Sequence, residues 1–163
     1  MNRRCPLPVN FYERDAYVPQ ESLGWMMHRV LQSIIVQADK RFAEHDLTNA
    51  QWKPLFKLAK RPDKCATVAE LARDLQIDAG AMTRLLDRLE KKGLVKRVRS
   101  TEDRRIVNIE LTPEGDAAAA HVPGVLCDVL NGHLAGFSKT EWQALKTYLA
   151  RMIENGEAMR EEA

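Results

Sequence analysis

The stretch TVAELARDLQIDAGAMTRLLDRLEKKGL, residues 67–94, contains two short helical patterns with almost no chain between them. In the first, the Thr67 hydroxyl can cap the opening backbone amides while Glu70 reaches back to the Thr67 amide, so a helix is predicted over 67–75. The second pattern predicts a helix over 78–92 that begins at an aspartate N-cap. Two helices joined by so short a turn indicate a helix-turn-helix.

A β-hairpin is predicted directly after these helices. Gly93 supplies the left-handed residue that ends the second helix. The segments 94–99 and 106–111 are rich in β-branched residues and flank a polar tip, which is typical of a two-stranded hairpin. Helix, turn, helix and hairpin in this order predict a winged helix-turn-helix, with the wing at about 94–111.

The second helix of the motif has an apolar face and a polar face. The apolar face is predicted to pack on the core through Met82, Leu85, Leu86 and Leu89. On the other face, small residues at the helix start would let its amides approach phosphate, and longer side chains would reach base edges or phosphates. The predicted DNA-contacting residues of this helix are Ala79, Gly80, Ala81, Thr83, Arg84 and Arg88. An ordinary solvated helix face would show a similar pattern, so this helix alone does not decide between the two interpretations.

Charge is distributed unevenly along the chain. Residues 78–105 hold nine Lys/Arg and five Asp/Glu, a net charge of +4 in a chain whose total is +2, whereas residues 110–163 hold four Lys/Arg and nine Asp/Glu. A concentrated basic patch predicts a polyanionic partner, and double-stranded DNA fits the predicted fold.

The tip of the wing carries a cluster of charges. Asp103 and Arg105 are two positions apart and therefore share a face, so the acid can aim the guanidinium outward into a minor groove. Arg104 beside them and Arg99 at the base of the tip complete the predicted DNA-contacting set. The alternative is a turn that serves only solubility, but its position directly after a helix-turn-helix favours DNA contact.

The run LLDRLEKKGLVKRVRSTEDRRIVNIELTPEG, residues 85–115, resembles the signature of the MarR family of bacterial transcription regulators, including the DRR motif at residues 103–105. The resemblance extends upstream through LTNAQWKPL, residues 47–55. It implies a homodimer whose first and last helices interlock and whose two winged lobes read a pseudo-palindromic operator, most often as a repressor. It also places the family's wing arginine at Arg105 and its paired acid at Asp103.

The fold class predicted for the whole chain is mainly α-helical with a small β-hairpin wing. Apolar periodicity and capping patterns predict further helices at about 22–45, 48–60, 113–134 and 138–160, with Pro123 and Gly124 expected to kink or split the third of these. The expected division is an N-terminal extension (1–21), a dimerisation helix (22–46), the winged lobe (47–112) and C-terminal dimerisation helices (113–163).

A small-molecule effector is expected from the resemblance, since many relatives release DNA when an aromatic acid or phenolic compound binds. Trp25, His28, Arg29 and Trp52 offer apolar walls with cationic or hydrogen-bonding groups for a carboxylate. The tryptophans could equally be core residues. Cys5, which follows Arg3 and Arg4 in a basic setting, offers a thiol-based redox switch as an alternative.

Other classes of protein are disfavoured by what the sequence omits. It contains no apolar run long enough for a membrane span and no secretory signal, so a cytoplasmic location without membrane contact is expected. It has no phosphate-binding loop and no catalytic or metal-ligand motif, so neither an enzyme nor a cofactor or metal is indicated. A winged-helix module that binds a protein instead of DNA remains open.

Overall fold

A computed structural model describes residues 10–100 and 106–161. Two 3-10 turns, Arg14–Ala16 and Pro19–Glu21, precede the first helix. The helices are α1 (Leu23–Ala43), α2 (Asn49–Ala59), α3 (Val68–Leu75), α4 (Ala79–Lys91), α5 (Pro113–Ala120), α6 (Val122–His133) and α7 (Lys139–Glu161). The strands are β1 (Cys65–Thr67), β2 (Val95–Arg99) and β3 (Val107–Leu111).

Side-chain caps begin the helices where the sequence predicts them. The Thr67 hydroxyl accepts a hydrogen bond from the Glu70 amide at 3.2 Å, and the Glu70 carboxylate accepts one from the Thr67 amide at 2.8 Å. Ser138 and Glu141 repeat this reciprocal pair before α7. Each pair satisfies amides that have no partner within the helix, so the local sequence sets these boundaries.

The sheet has three strands, one more than predicted. Their order is β1–β3–β2, with both pairs antiparallel. The additional strand places Ala66 opposite Ile109 in the centre of the sheet. The prediction of a two-stranded hairpin was therefore incomplete, because a strand of three residues is too short to show an alternating pattern.

Two prolines affect the helices differently. Pro123 lies in the first turn of α6, where its missing N–H has no partner to lose, and the predicted helix over 113–134 is split between Ala120 and Val122. Pro54 lies inside α2 and is fully buried, so α2 continues through it. The predicted split of the helix at Pro123 is confirmed, whereas Pro54 is packed in the core without interrupting α2.

One apolar cluster joins the lobe to the end of α1 and to α5 and α6. It takes Phe42 from α1 and Met82, Leu86 and Leu89 from the predicted inward face of α4. It extends through the sheet at Val95 and Ile109. Its largest fully buried side chains are Phe42, Leu55, Leu58, Leu71, Met82, Leu86, Leu89, Ile109 and Val122. The position of α4 relative to the rest of the lobe is therefore set by core packing.

Two helices leave apolar surface uncovered by their own chain. In α1 only Ala38 and Phe42 are buried, and α7 has no buried residue among those described. The exposed apolar side chains of these two helices are Leu23, Trp25, Met26, Met27, Val30, Leu31 and Val36 in α1, and Trp142, Leu145, Tyr148, Leu149, Met152, Ile153 and Met159 in α7. Contiguous apolar surface on this scale indicates a macromolecular contact.

Within residues 10–100 and 106–161, no helix combines the length and the apolar character that crossing a bilayer requires.

Candidate nucleic-acid interface

The outward face of α4 is the centre of the candidate site. The turn before it contains Gln76 in the left-handed conformation, with φ 53° and ψ 43°, and this residue reverses the chain between α3 and α4. Because Met82 and the leucines of α4 are buried, the opposite face is directed outward. Ala79, Gly80, Thr83, Arg84 and Arg88 are exposed and Ala81 is half-buried. The structure thus places all six predicted residues of this helix along one accessible side of α4.

The N-terminal turn of α4 is already capped by an acid. The Asp78 carboxylate accepts a hydrogen bond from the Ala81 amide at 3.0 Å. The Arg84 guanidinium folds back over this turn, since a Cβ built on Gly80 would lie 3.5 Å from Arg84 Nη1 and 3.2 Å from Asp78 Oδ1. A phosphate at this end would meet the Asp78 carboxylate, so Arg84 is better placed than the helix amides to contact DNA.

The basic patch separates into free and paired cations. Arg84, Arg88, Lys91 and Arg99 are exposed, and none of them forms an ion pair with another residue that the structure describes. Lys92 Nζ instead lies 3.1 Å from Oδ1 of Asp46 in the turn after α1. Lys96 Nζ lies 2.9 Å from Glu110 Oε2 across the sheet. The free cations are therefore those on the outward side of α4 and at the end of β2.

Arg97 in β2 is paired with two acids of α4. Its Nη2 lies 2.6 Å from Asp87 Oδ1, its Nη1 contacts Glu90 Oε2, and its backbone amide donates to Glu90 Oε1 at 3.1 Å. Burial acts to lower the pKa of Arg97, but the hydrogen bonds and negative charges of Asp87 and Glu90 outweigh it and raise that pKa above its ordinary value. Arg97 thus stays charged, and its charge is balanced within the protein.

Asp87 and Glu90 are thus not merely solvated charges on a lysine-rich helix, because both pair with Arg97. Sequence reasoning missed the contact because its partner lies seven to ten positions away in a different element, beyond any helical spacing rule. The sequence did contain a signal for this pairing, because two acids within a basic patch indicate that a nearby cation pairs with them.

The tip of the wing lies outside the described residues. Asp103, Arg104 and Arg105 belong to the segment 101–105, so their predicted roles stay predictions. Arg99, the last residue of β2, is exposed at the edge of that segment.

The four predicted effector residues fall into two groups within one chain. The Arg29 guanidinium lies 5.5 Å from the Trp25 ring centroid, and His28 is exposed beside them. Trp52 is half-buried, stacked on Phe42 with ring centroids 5.9 Å apart, and its Nε1 donates to Asn49 Oδ1 at 3.0 Å.

The separation between these groups follows from helix geometry. Phe42 is seventeen positions after Trp25 in α1, which is about 25 Å along the helix axis. One chain therefore does not bring Trp25, His28 and Arg29 to Trp52.

No metal centre is visible in the described part of the chain, where no three or more His, Cys, Asp or Glu side chains cluster. The thiols there are Cys65, which is half-buried, and Cys127, which is exposed. Burial, followed by the negative charge of Asp63, raises the pKa of Cys65 and so disfavours its reactive thiolate. Cys5 lies outside the described residues.

An exposed cationic helix, a left-handed turn before it and a sheet hairpin after it define a winged helix-turn-helix protein. Residues 47–107 match the family model described as the MarR family. The multiple antibiotic resistance protein MarR of Escherichia coli (strain K12) is 39% identical over 95 residues, which are 58% of this chain and 65% of that protein. The match thus spans slightly less than two thirds of this curated relative.

Solved structures extend the similarity beyond the lobe. The crystal structure of the reduced form of E. coli MarR has a TM-score of 0.72 at 30% identity, covering 80% of this chain and 96% of that one. A crystal structure of a mutant E. coli MarR complexed with operator DNA has a TM-score of 0.71 at 31% identity, covering 80% of this chain and 92% of that one. The chain belongs to the MarR family.

Proposed function

We propose that this protein is a transcription regulator that binds an operator in double-stranded DNA, with α4 in a major groove and the wing at an adjacent minor groove. The observation that carries this proposal is the outward face of α4, where Arg84, Arg88 and Lys91 are exposed and unpaired among the described residues, next to Arg99 at the end of β2. Cations with no internal partner are available to phosphate and to base edges. The relative solved with operator DNA supports the same use of the fold.

We also propose that the working form is a homodimer. The uncovered apolar faces of α1 and α7 support this, because a second copy would bury both faces in one symmetric contact. Two lobes related by a two-fold axis would read half-sites about one helical turn, roughly 34 Å, apart. Such a regulator would act in the bacterial cytoplasm, as a DNA-binding protein and not as an enzyme.

The effector we propose is a small aromatic carboxylate or a phenolic compound, with no cofactor. Arg29 beside Trp25 offers a cation next to an aromatic wall, and Trp52 offers a second wall about 25 Å away. A pocket that uses both groups therefore requires Trp25, His28 and Arg29 from one copy and Trp52 from the other. Ligand binding would then change the separation of the lobes, and repression would be relieved.

Mixed dimers test the composite effector pocket. Arg29→Ala removes the cation and Trp52→Ala removes the second aromatic wall of the proposed pocket. Either homodimer would therefore bind an aromatic carboxylate more weakly than the parent does. The carboxylate is selected from a panel of benzoates and phenols. A heterodimer of the two variants retains one complete composite pocket, so binding returns at half the stoichiometry. No recovery in the heterodimer would contradict a pocket shared between copies.

DNA binding itself is tested by fluorescence anisotropy on a random duplex at several salt concentrations. A steep fall in affinity with salt is expected, because each neutralised phosphate releases counterions. Arg88→Ala should lower the slope of log affinity against log salt by about 1. Arg160→Ala, at the exposed end of α7, removes the same charge away from α4 and is the matched control. Weak binding that ignores salt would instead favour a protein-interaction module.

A further inference from the structure

Arg97 connects the wing to the proposed reading helix through two acids on that helix. Asp87 and Glu90 are three positions apart in α4 and so lie on neighbouring turns, and the Arg97 guanidinium reaches both. The Arg97 side chain is 29% exposed, whereas Arg84 and Arg88 of α4 are exposed. The Arg97 guanidinium thus lies between β2 and α4, with both terminal nitrogens paired to acids of the protein.

The two acids are electrostatically unfavourable on a surface that meets DNA. Asp87 follows Thr83 by one helical turn and precedes Lys91 by another, so it shares the outward side of α4. A carboxylate there repels phosphate and weakens the attraction of the neighbouring cations. The contact with Arg97 balances part of this negative charge and gives the two acids a structural role.

The geometry of this contact restricts the position of α4 relative to β2 more than a single ion pair would. A guanidinium is planar and presents its donors in a fixed fork, so contact with two carboxylates defines the position and the orientation of α4 relative to β2. The Arg97 backbone amide also donates to Glu90, which ties the strand itself to the last turn of α4. Rotation of α4 about its axis, or displacement of the wing, would break at least one of these contacts.

We propose that Arg97 is a positioning residue: through Asp87 and Glu90 it fixes the angle between α4 and the wing, and so the register in which both reach neighbouring grooves of one duplex. This inference rests on the proposed function, because it assigns a role within DNA recognition. Arg97 itself does not touch DNA.

The decisive variant removes the acids and leaves every cation in place. Asp87→Asn/Glu90→Gln makes the lobe more positive by two charges, so electrostatics alone predicts tighter binding to any duplex. Loss of positioning predicts the opposite for the operator, with an affinity about tenfold weaker and a reduced preference over random DNA. Arg97→Lys should show the same loss with the charge conserved, because one ammonium does not hold both carboxylates in a fixed orientation. Asp128→Asn, which breaks the ion pair of Arg41 between α1 and α6, is the control and should leave operator preference unchanged.

A second measurement reports the contact without DNA. Amide hydrogen exchange of the segment 94–111 should accelerate in Asp87→Asn/Glu90→Gln and in Arg97→Lys, while exchange in the core of α4 stays that of the parent. Operator affinity that rises or stays constant in the acid-free variant would overturn the proposal, since the acids would then only repel DNA. Unchanged exchange of 94–111 would overturn it as well.

The two measurements separate this inference from the proposed function. If the parent protein bound no duplex at any salt concentration, the proposed function would fail, and the positioning role in DNA recognition would fail with it. The exchange experiment would then still decide whether Arg97 holds the wing to α4.

Discussion

The carbonyl oxygen of Leu94 lies so close to Gly115 that a Cβ built on this glycine would come within 1.9 Å of it. The contact joins the first turn of α5 to the chain entering β2, and only a residue without a side chain permits it. Gly115→Ala is expected to lower the free energy of unfolding by about 3 kcal/mol, because the backbones must separate to admit the methyl group. Urea denaturation measures this change. Gly124→Ala, where the new methyl would meet no side chain or distant backbone within 4 Å, is the control and should gain up to about 1 kcal/mol. Similar losses in both variants would rule out the close contact.

The left-handed turn between α3 and α4 is made by Gln76, which is exposed and has φ 53°. A non-glycine residue in this conformation is strained by roughly 1 kcal/mol, and glycine relieves the strain. Gln76→Gly should therefore raise the free energy of unfolding by about 0.5–1 kcal/mol in chemical denaturation. Gln76→Ala retains a Cβ and should give no such gain, and a gain of equal size in both variants would show that the turn is unstrained.

Glu70 makes stability depend on pH. Hydrogen bonds from the Thr67 amide and hydroxyl, with a contribution from Arg61, hold the pKa of Glu70 below its ordinary value of 4.5. Since the folded pKa is the lower one, this stabilisation is fully present above pH 4.5 and is lost as the pH falls through the folded pKa. Between about pH 5 and pH 3, Glu70→Gln should lose less stability than the parent in thermal unfolding. A Glu70→Gln curve parallel to the parent curve would contradict the linkage.

Arg84 and Arg88 are expected to differ in what they contribute to DNA binding. Arg84 lies over the first turn of α4, which would enter the groove deepest in the proposed complex, so Arg84→Ala should lose about 1–3 kcal/mol of discrimination between operator variants. Arg88 lies one turn later, and Arg88→Ala should weaken all duplexes alike. Competition binding with a randomised operator library, selected first with the parent protein, separates these effects. Equal selectivity in Arg84→Ala and the parent would show that Arg84 is not a reader.

The apolar face of α7 should control assembly. Leu149 is exposed in the single chain and lies on the face formed with Trp142, Leu145 and Ile153. Leu149→Glu would bury an unpaired charge in the proposed dimer and should raise its dissociation constant at least about tenfold. Analytical ultracentrifugation measures this. Thr147→Glu adds the same charge to the opposite side of α7 and should leave the dimer intact. A parent protein that sediments as a monomer would contradict the proposed dimer.

Local capping chemistry explains how much of the fold could be predicted from the sequence. Thr67, Asp78 and Ser138 each bond the amides predicted for them, and Gly93 takes φ 70° at the end of α4, because these contacts involve residues only three or four positions apart. The fold class followed from the order of these elements. Contacts between residues this close in the chain can be predicted from the local sequence pattern.

Contacts between distant elements were not predictable in the same way. The strand β1 exists because Ala66 pairs with Ile109, more than forty positions later, and its three residues carry no pattern of their own. The pairing of Asp87 and Glu90 was missed for the same reason, since their partner Arg97 belongs to the sheet. The predicted DNA-contacting residues of α4 lie on one outward side, whereas the predicted effector residues are divided between the start of α1 and α2, where Trp52 packs on Phe42.

The absence of any buried residue among the described positions of α7 has a consequence for how the molecule melts. Most of the stability of a helix in a protein comes from tertiary packing, so the order of α7 depends on whatever covers its apolar face. If the cover is a second copy, dilution would loosen this helix while the lobe, which has its own core, stays folded. Two thermal transitions would then appear on heating. Only the midpoint of the transition at the lower temperature would shift with protein concentration.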